Sequence, residues 1–254
     1  MIDMSKLYVH EEYPDALEKF NKSSKIKKWS EFKDIHLKLT NHKCPICECS
    51  LKDEELLTRL SGSSNSRITE IKATVDHYRP QKYYSFLMLT PENYILMCSE
   101  CNNIYKGCEF PLFGDTSIRA KNNAEIINER PLIVNPILDK LLELFVVILR
   151  QMESGRKVLE LAPKHKDGYF YEQAKTTIEL FKIGECDING HSNENVKNLR
   201  INLLHSHLIK FEPFILAYID KDITKMRAEI KEKKLTNYGF FKFIINNQFK
   251  NLLP

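Results

Sequence analysis

Three segments decide the fold: Val75-Asp76-His77-Tyr78-Arg79-Pro80, Asn93-Tyr94-Ile95-Leu96-Met97, and Cys98-Ser99-Glu100-Cys101-Asn102-Asn103. A matching knuckle, Cys44-Pro45-Ile46-Cys47, stands upstream of them. Two Cys-x-x-Cys pairs supply the four soft ligands that zinc takes in a tetrahedron. Simple zinc ribbons separate their knuckles by ~15–20 residues, whereas the gap here is about 50, so a further structure is built between them. A zinc held by Cys44, Cys47, Cys98 and Cys101 has no open position for water and is expected to be structural. The reaction, if there is one, belongs to the inserted segment. His42, Cys49 and Cys108 lie close enough in sequence to substitute as ligands, and Cys186 reads as an ordinary cysteine.

Within the insertion, Ile68, Ile71 and Val75 lead into an extended run that ends at Asp76-His77. Pro80 disfavours helix in the residue before it, so His77 is expected at a strand end or in the loop just beyond. Residues 81–92 read as an exposed connection closed by Pro91. Tyr94 to Met97 is a second short strand, and Cys101 to about Lys106 is a helix stopped at Gly107. The order is strand, loop, strand, helix.

Adjacent side chains on extended backbone point to opposite sides. Asp76 and His77 could therefore flank one phosphate differently, the imidazole toward a water and the carboxylate toward a metal. Asn102 follows the last zinc cysteine, and its amide oxygen suits Mg²⁺, which prefers oxygen ligands and keeps several waters. Lys106, one turn on, could meet a phosphate oxygen. Taken singly, a buried Asp–His pair and a helix-capping asparagine explain these residues without any chemistry.

Composition sets the frame. The chain has 254 residues, 43% hydrophobic and 28% charged, which suits one or two globular domains with an apolar core. The net charge of +4 allows a nucleic-acid partner but does not require one, since a solvated surface also carries such a charge. Seven cysteines, four of them in two close pairs, point to metal ligation in a reducing compartment rather than to disulfides. The first residues lack the apolar core of a signal peptide, and no apolar run reaches the ~20 residues of a membrane span. A cytoplasmic protein with no membrane association is expected.

Outside the insertion, residues 14–41 read as a basic helical segment with an apolar face of Leu17, Phe20, Trp29, Phe32, Ile35 and Leu39. Lys22, Lys25, Lys27 and Lys28 could touch phosphates, or form a solvated turn. Residues 52–60 suggest a short helix and 61–66 a flexible loop. Pro131 to Pro136 reads as a buried extended piece. Residues 143–150 and 157–161 are expected to pair as a β-hairpin, with a helix over 138–151 as the rival. Residues 168–182, 191–220, 222–234 and 238–250 look helical, with Leu199, Leu203, Leu204, Leu208 and Phe211 on one face. The fold class expected is α+β, mainly α. It has an N-terminal helical segment (1–43), a zinc-stapled ββα core (44–113), and a largely helical C-terminal region (114–254) carrying one hairpin.

Together the central residues resemble the HNH nuclease motif, a ββα-metal hairpin held by zinc. That pattern runs Cys-x-x-Cys, Asp-His-x-x-Pro, Asn-Leu, then Leu-Cys-x-x-Cys-Asn-x-x-Lys-Gly. Here it is met by Cys44 and Cys47, by Asp76-His77-Tyr78-Arg79-Pro80, by Asn93-Tyr94, and by Met97-Cys98 with Cys101-Asn102. The nine-residue step from Asn93 to Asn102 agrees, and Asn in the third position is a common variant. Lys106 departs from it, standing four residues after Asn102 instead of three. Either Asn103 takes the metal role or the helix absorbs one extra residue. His77-Tyr-Arg-Pro-Gln-Lys82, Cys101-Asn-Asn-Ile-Tyr-Lys-Gly107 with Phe110-Pro-Leu112, and Arg130-Pro-Leu-Ile-Val-Asn-Pro136 resemble the PtuB family. This family is the HNH subunit of the Septu anti-phage system, also found beside retrons. The likeness is strong over 44–113, looser to about 208, and absent at the ends.

The resemblance implies a metal-dependent endonuclease in antiviral defence. His77 would be the general base, and Asp76 with Asn102 (or Asn103) would hold one Mg²⁺ or Mn²⁺. Asn93 would tie down the loop that positions His77, and Arg79 or Lys106 would stabilise charge. It further implies a PtuA-type ATPase partner and, near a retron, a reverse transcriptase with its RNA–DNA hybrid. The substrate would be DNA or RNA, transfer RNA included, and the C-terminal helices would dock on the ATPase. A zinc-stapled adaptor that binds without cutting is the alternative.

Overall fold

The computed structural model describes residues 1–22, 29–51, 72–114, 118–151, 157–183 and 210–248. The expected helix at 52–60, the loop at 61–66, Ile68, Ile71, Lys25, Lys27, Lys28, Cys186 and the run from Leu199 to Leu208 lie outside these residues.

The N-terminal segment forms helix α1 (Tyr13–Lys22), a 3-10 turn (Trp29–Phe32) and helix α2 (Lys33–Leu39). Pro14 sits in the first turn of α1, where its missing N–H has no helical partner to lose. Tyr13 and Ala16 are buried, with Leu17 and Phe20 half-buried beside them, the i, i+3, i+4, i+7 stripe of an amphipathic helix. This stripe packs with Phe32 and Ile35 into a satellite core that takes in Val75 and Tyr94. Phe20, Phe32 and Tyr94 form its aromatic centre, with ring centroids 5.6 to 5.9 Å apart.

Strands β1 (Ala73–His77) and β2 (Tyr94–Cys98) pair antiparallel, from Ala73 opposite Cys98 to His77 opposite Tyr94. All five residues of β2 are buried, whereas β1 is half-buried. The expected strand, loop, strand, helix order is the observed one. The connection is less exposed than expected. It winds through two 3-10 turns, Ser85–Leu87 and Pro91–Asn93, and buries Tyr84, Leu87 and Asn93.

The helical piece after β2, Glu100–Lys106, is a π-helix. Its closing bond is Gly107 N–H to Asn102 O at 2.7 Å, a five-residue step. A π turn holds one residue more than an α turn, which lengthens the step from Asn102 to Gly107. Gly107 ends the helix with φ +47°, a conformation that favours glycine.

The expected second hairpin is present. Strand β3 (Phe145–Gln151) pairs antiparallel with β4 (Lys157–Pro163). Val146, Val147 and Ile148 favour the pleated backbone, and the rival helix survives only as the single turn Leu141–Leu144. Helices follow at Gly168–Phe181, at 210–219, at Ile223–Glu232 and at Gly239–Gln248. The protein is thus mostly helical, with two small antiparallel hairpins.

One apolar core runs from Cys44, Ile46 and Cys98 through Ile133, Phe145 and Phe181 to Phe211, Phe214, Phe241 and Phe243. The C-terminal helices are therefore part of the body that carries the cysteines. A polar link reinforces this. The buried Glu48 carboxylate accepts from the Met1 ammonium and from Phe240 N–H at 2.8 Å, joining the first knuckle to the last helix. A Cβ on Gly239 would fall 1.5 Å from Met1 O, so only glycine fits this crossing. Among the described residues no helix is long and apolar enough to cross a membrane.

Candidate metal centre and active-site pocket

The knuckles converge. The sulfurs of Cys44, Cys47, Cys98 and Cys101 all lie within 4.8 Å of one another, and all four residues are buried. Backbone geometry shapes the cluster. Glu48 N–H donates to Cys44 O at 2.8 Å and Cys44 N–H to Cys49 O at 3.0 Å, folding the first knuckle back on itself. Cys98 N–H points at Cys44 Sγ and Cys101 N–H at Cys98 Sγ, each at 3.3 Å. Amides aimed at sulfur stabilise thiolate, the form that binds metal. Four buried sulfurs with this support fit a structural zinc, and no other residue type enters the cluster.

Cys49 is buried against the same group. Hydrogen bonds to Cys44, Cys47 and Cys98, with burial, push its thiol well above the ordinary range. Cys108 is exposed and lies apart, at the pocket described next.

The two faces of β1 have different partners. Thr74 and Asp76 face the π-helix. Asn102 Nδ2 donates to Thr74 Oγ1 at 3.1 Å, and Lys106 Nζ donates to Asp76 Oδ2 at 2.6 Å and to His77 O at 2.9 Å. Val75 and His77 face the N-terminal side, Val75 in the satellite core and His77 edge-on to Tyr94 at 5.3 Å. The strand ends at His77, so both Asp76 and His77 reach one surface pocket of about 440 Å³. Pro80, Gln81, Lys82, Gly107 and Cys108 complete its lining.

His77 is held from behind. Its Nε2 lies 2.9 Å from Met88 O, and the same carbonyl accepts from Tyr94 OH at 2.9 Å. A carbonyl only accepts, so Nε2 is the donor in this contact. Asn93 is buried and locks the turn after β1. Its Oδ1 accepts from Arg79 N–H at 2.8 Å, its Nδ2 donates to Arg79 O at 3.0 Å, and its own carbonyl accepts from Tyr78 N–H at 2.7 Å. These three bonds join Asn93 to Tyr78 and Arg79, the two residues that follow His77.

The two expected charge stabilisers are both buried in ion pairs. Arg79 is buried, paired with Glu129 and stacked 5.1 Å from the Tyr84 ring and 5.2 Å from the Phe110 ring. Lys106 is fully buried on Asp76. A sequence shows that a residue is cationic but not that a distant carboxylate claims it. Lys82 is the lysine that lines the pocket, and sequence reading passed over it together with Gln81, Tyr94 and the Met88 carbonyl. Of the two asparagines, Asn102 faces β1 and Asn103 is exposed.

The oxygen donors also suit a hard cation. Asp76 is a fifth exposed and offers a carboxylate to the pocket. Asn102 donates through Nδ2 to Thr74 Oγ1, which leaves its amide oxygen as the atom of the kind Mg²⁺ takes; the lining of the pocket itself does not include Asn102. Mg²⁺ is commonly held by one or two protein oxygens with water completing its shell. Among the described residues the four cysteines form the single cluster of three or more His, Cys, Asp or Glu whose ligand atoms are close enough to share one ion. Comparison of the chain with protein-family models, with curated proteins and with solved structures gives no match.

Proposed function

We propose that this chain is a metal-dependent HNH-type endonuclease that hydrolyses phosphodiester bonds in nucleic acid. The observation that carries the reading is the convergence of Asp76 and His77 on one pocket, with Asn102 facing the same strand from a π-helix whose first turn carries Cys101 of the four-cysteine cluster.

His77 takes the proton from an attacking water. The Met88 carbonyl and the Tyr94 ring hold the imidazole in place, and its bond to that carbonyl stabilises the imidazolium that forms. Asp76 and Asn102 would hold a Mg²⁺ or Mn²⁺, which would supply positive charge against that developing on the phosphate and the leaving oxygen. Asn93 fixes the turn behind His77. Lys82 reaches the phosphate from the pocket wall, while Arg79 and Lys106 brace the frame. The four-cysteine zinc sets where the helix of Asn102 starts. The biological setting follows from the PtuB likeness alone: an anti-phage effector working with a PtuA-type ATPase, under retron control where one is adjacent.

The test is cleavage by the purified protein, alone and with its ATPase, on plasmid, single-stranded DNA and transfer RNA with Mg²⁺ or Mn²⁺. His77→Ala should lose ~10²–10⁴-fold in rate, the usual worth of a positioned base, at unchanged melting temperature. Undiminished cutting by that variant rejects the assignment. Absence of metal-dependent cutting under every trigger leaves the zinc-stapled adaptor.

A further inference from the structure

Segment 118–130 carries two arginines whose surroundings the reaction does not explain. Arg119 lies over the Tyr83 ring at 4.4 Å and near the Tyr84 ring at 5.9 Å, steered by hydrogen bonds to Tyr84 OH (3.1 Å) and Phe110 O (2.9 Å). Arg130 lies 4.8 Å from the Phe113 ring and 4.1 Å from the Tyr169 ring. Tyr169 is pinned by its hydroxyl to Pro131 O at 2.9 Å and continues to Phe170 at 5.3 Å. The outer rings are open to solvent: Tyr83 is 39% exposed, Phe113 38% and Phe170 52%. Among the described residues neither guanidinium meets a carboxylate.

The segment is also tied to the reaction centre. Glu129 is buried against Arg79, two residues beyond His77, and it accepts from Ala120 N–H at 2.6 Å, bracing both ends of the segment. Lys82, a wall of the pocket, lies 5.1 Å from the same Tyr83 ring that Arg119 covers. Guanidinium groups with no direct carboxylate contact among the described residues attract phosphate, and exposed rings beside them offer faces on which bases stack. A duplex keeps its base faces covered, so such a surface selects unpaired nucleotides.

We infer that the Arg119–Tyr83 and Arg130–Phe113–Tyr169 stacks form a ledge that binds single-stranded nucleic acid beside the pocket. The inference rests on the nuclease reading for its purpose but not for its measurement. Full-length His77→Ala protein, which holds the strand without cutting it, is titrated with labelled oligothymidine, oligouridine and a duplex of matching length. Tyr83→Leu and Phe113→Leu keep bulk and remove the π face. Each should weaken single-strand binding by about tenfold or more, as loss of one base–aromatic stack does, while Tyr83→Phe retains it. Duplex binding should be weaker than single-strand binding and indifferent to these changes. The DNA and RNA arms show which sugar the ledge accepts.

Equal single-strand affinity in the leucine variants, or duplex binding as tight as single-strand binding, overturns the ledge. If parent protein cuts nucleic acid but its binding ignores Tyr83 and Phe113, the ledge fails and the nuclease stands. If nothing is cut but binding depends on those rings, the ledge stands without the nuclease.

Discussion

Lys106→Met removes one charge from the interior while nearly keeping side-chain volume. In the parent the ammonium is fully buried, with Asp76 Oδ2 at 2.6 Å and His77 O at 2.9 Å. Deleting one member of a buried ion pair costs ~3–5 kcal/mol, because the other charge is left uncompensated. Asp76 keeps a fifth of its surface in water, which places the cost near the lower end, about 3 kcal/mol. For a chain of this size that lowers the melting temperature by roughly 6–12 °C. Asp76→Asn in the same protein should return most of the loss, since both charges are then gone. The single variant should also respond to Mg²⁺. Its carboxylate lacks a counter-charge, so the ion should stabilise Lys106→Met more than the parent. Urea unfolding at fixed zinc, with and without Mg²⁺, measures all three. A single variant within ~0.5 kcal/mol of the parent, no more than an ordinary surface change, would refute the reasoning. So would a double variant no more stable than the single.

Three further outcomes follow from the same contacts. Stripping zinc with a strong chelator, or Cys98→Ser, should release one zinc per chain by elemental analysis and collapse the hairpin's near-ultraviolet signal, because the cluster joins residues otherwise linked only through a long insertion. His36 is buried, accepts from Leu96 N–H at 3.1 Å through Nδ1, and burial lowers its pKa from 6.5 to about 4. The unfolded chain then binds the extra proton between those values. The His36 contribution is intact above pH 6.5 and is lost as pH falls toward 4, by up to about 3 kcal/mol. His36→Gln should flatten that part of the stability–pH curve, and an unchanged slope would exclude His36 as its source. Asn93→Ala removes two buried hydrogen bonds to the Arg79 backbone and should cost ~2–3 kcal/mol. It should also lower the cleavage rate at saturating substrate, since the turn behind His77 loosens. Full activity would show that the imidazole is placed without it.

How much of this could be read beforehand depends on the range of the interaction. The knuckles, both hairpins, the strand end at His77 and the glycine stop at 107 were legible because spacing, prolines and β-branched runs act over a few residues. The Asn93 tie was legible only through family likeness, since it spans 14 residues from Arg79. The buried partnerships were not legible at all. Lys106, Arg79, Glu48 and His36 look like surface residues in a sequence, and each is instead claimed by a group brought from afar.

By itself, then, the sequence determined the metal chemistry on offer: four thiolates for a soft ion, an adjacent carboxylate and imidazole, and an asparagine at a cysteine-anchored helix start. The tertiary structure decided which cations remain at the pocket and which asparagine faces β1. Burial removes Arg79 and Lys106 from solvent, and the pocket keeps Lys82. The π turn holds one residue more than an α turn, with Asn102 opposite Thr74 and Lys106 opposite Asp76. The physical reason is common to all of these: residue type and spacing fix what a group can do, and only packing fixes what it meets.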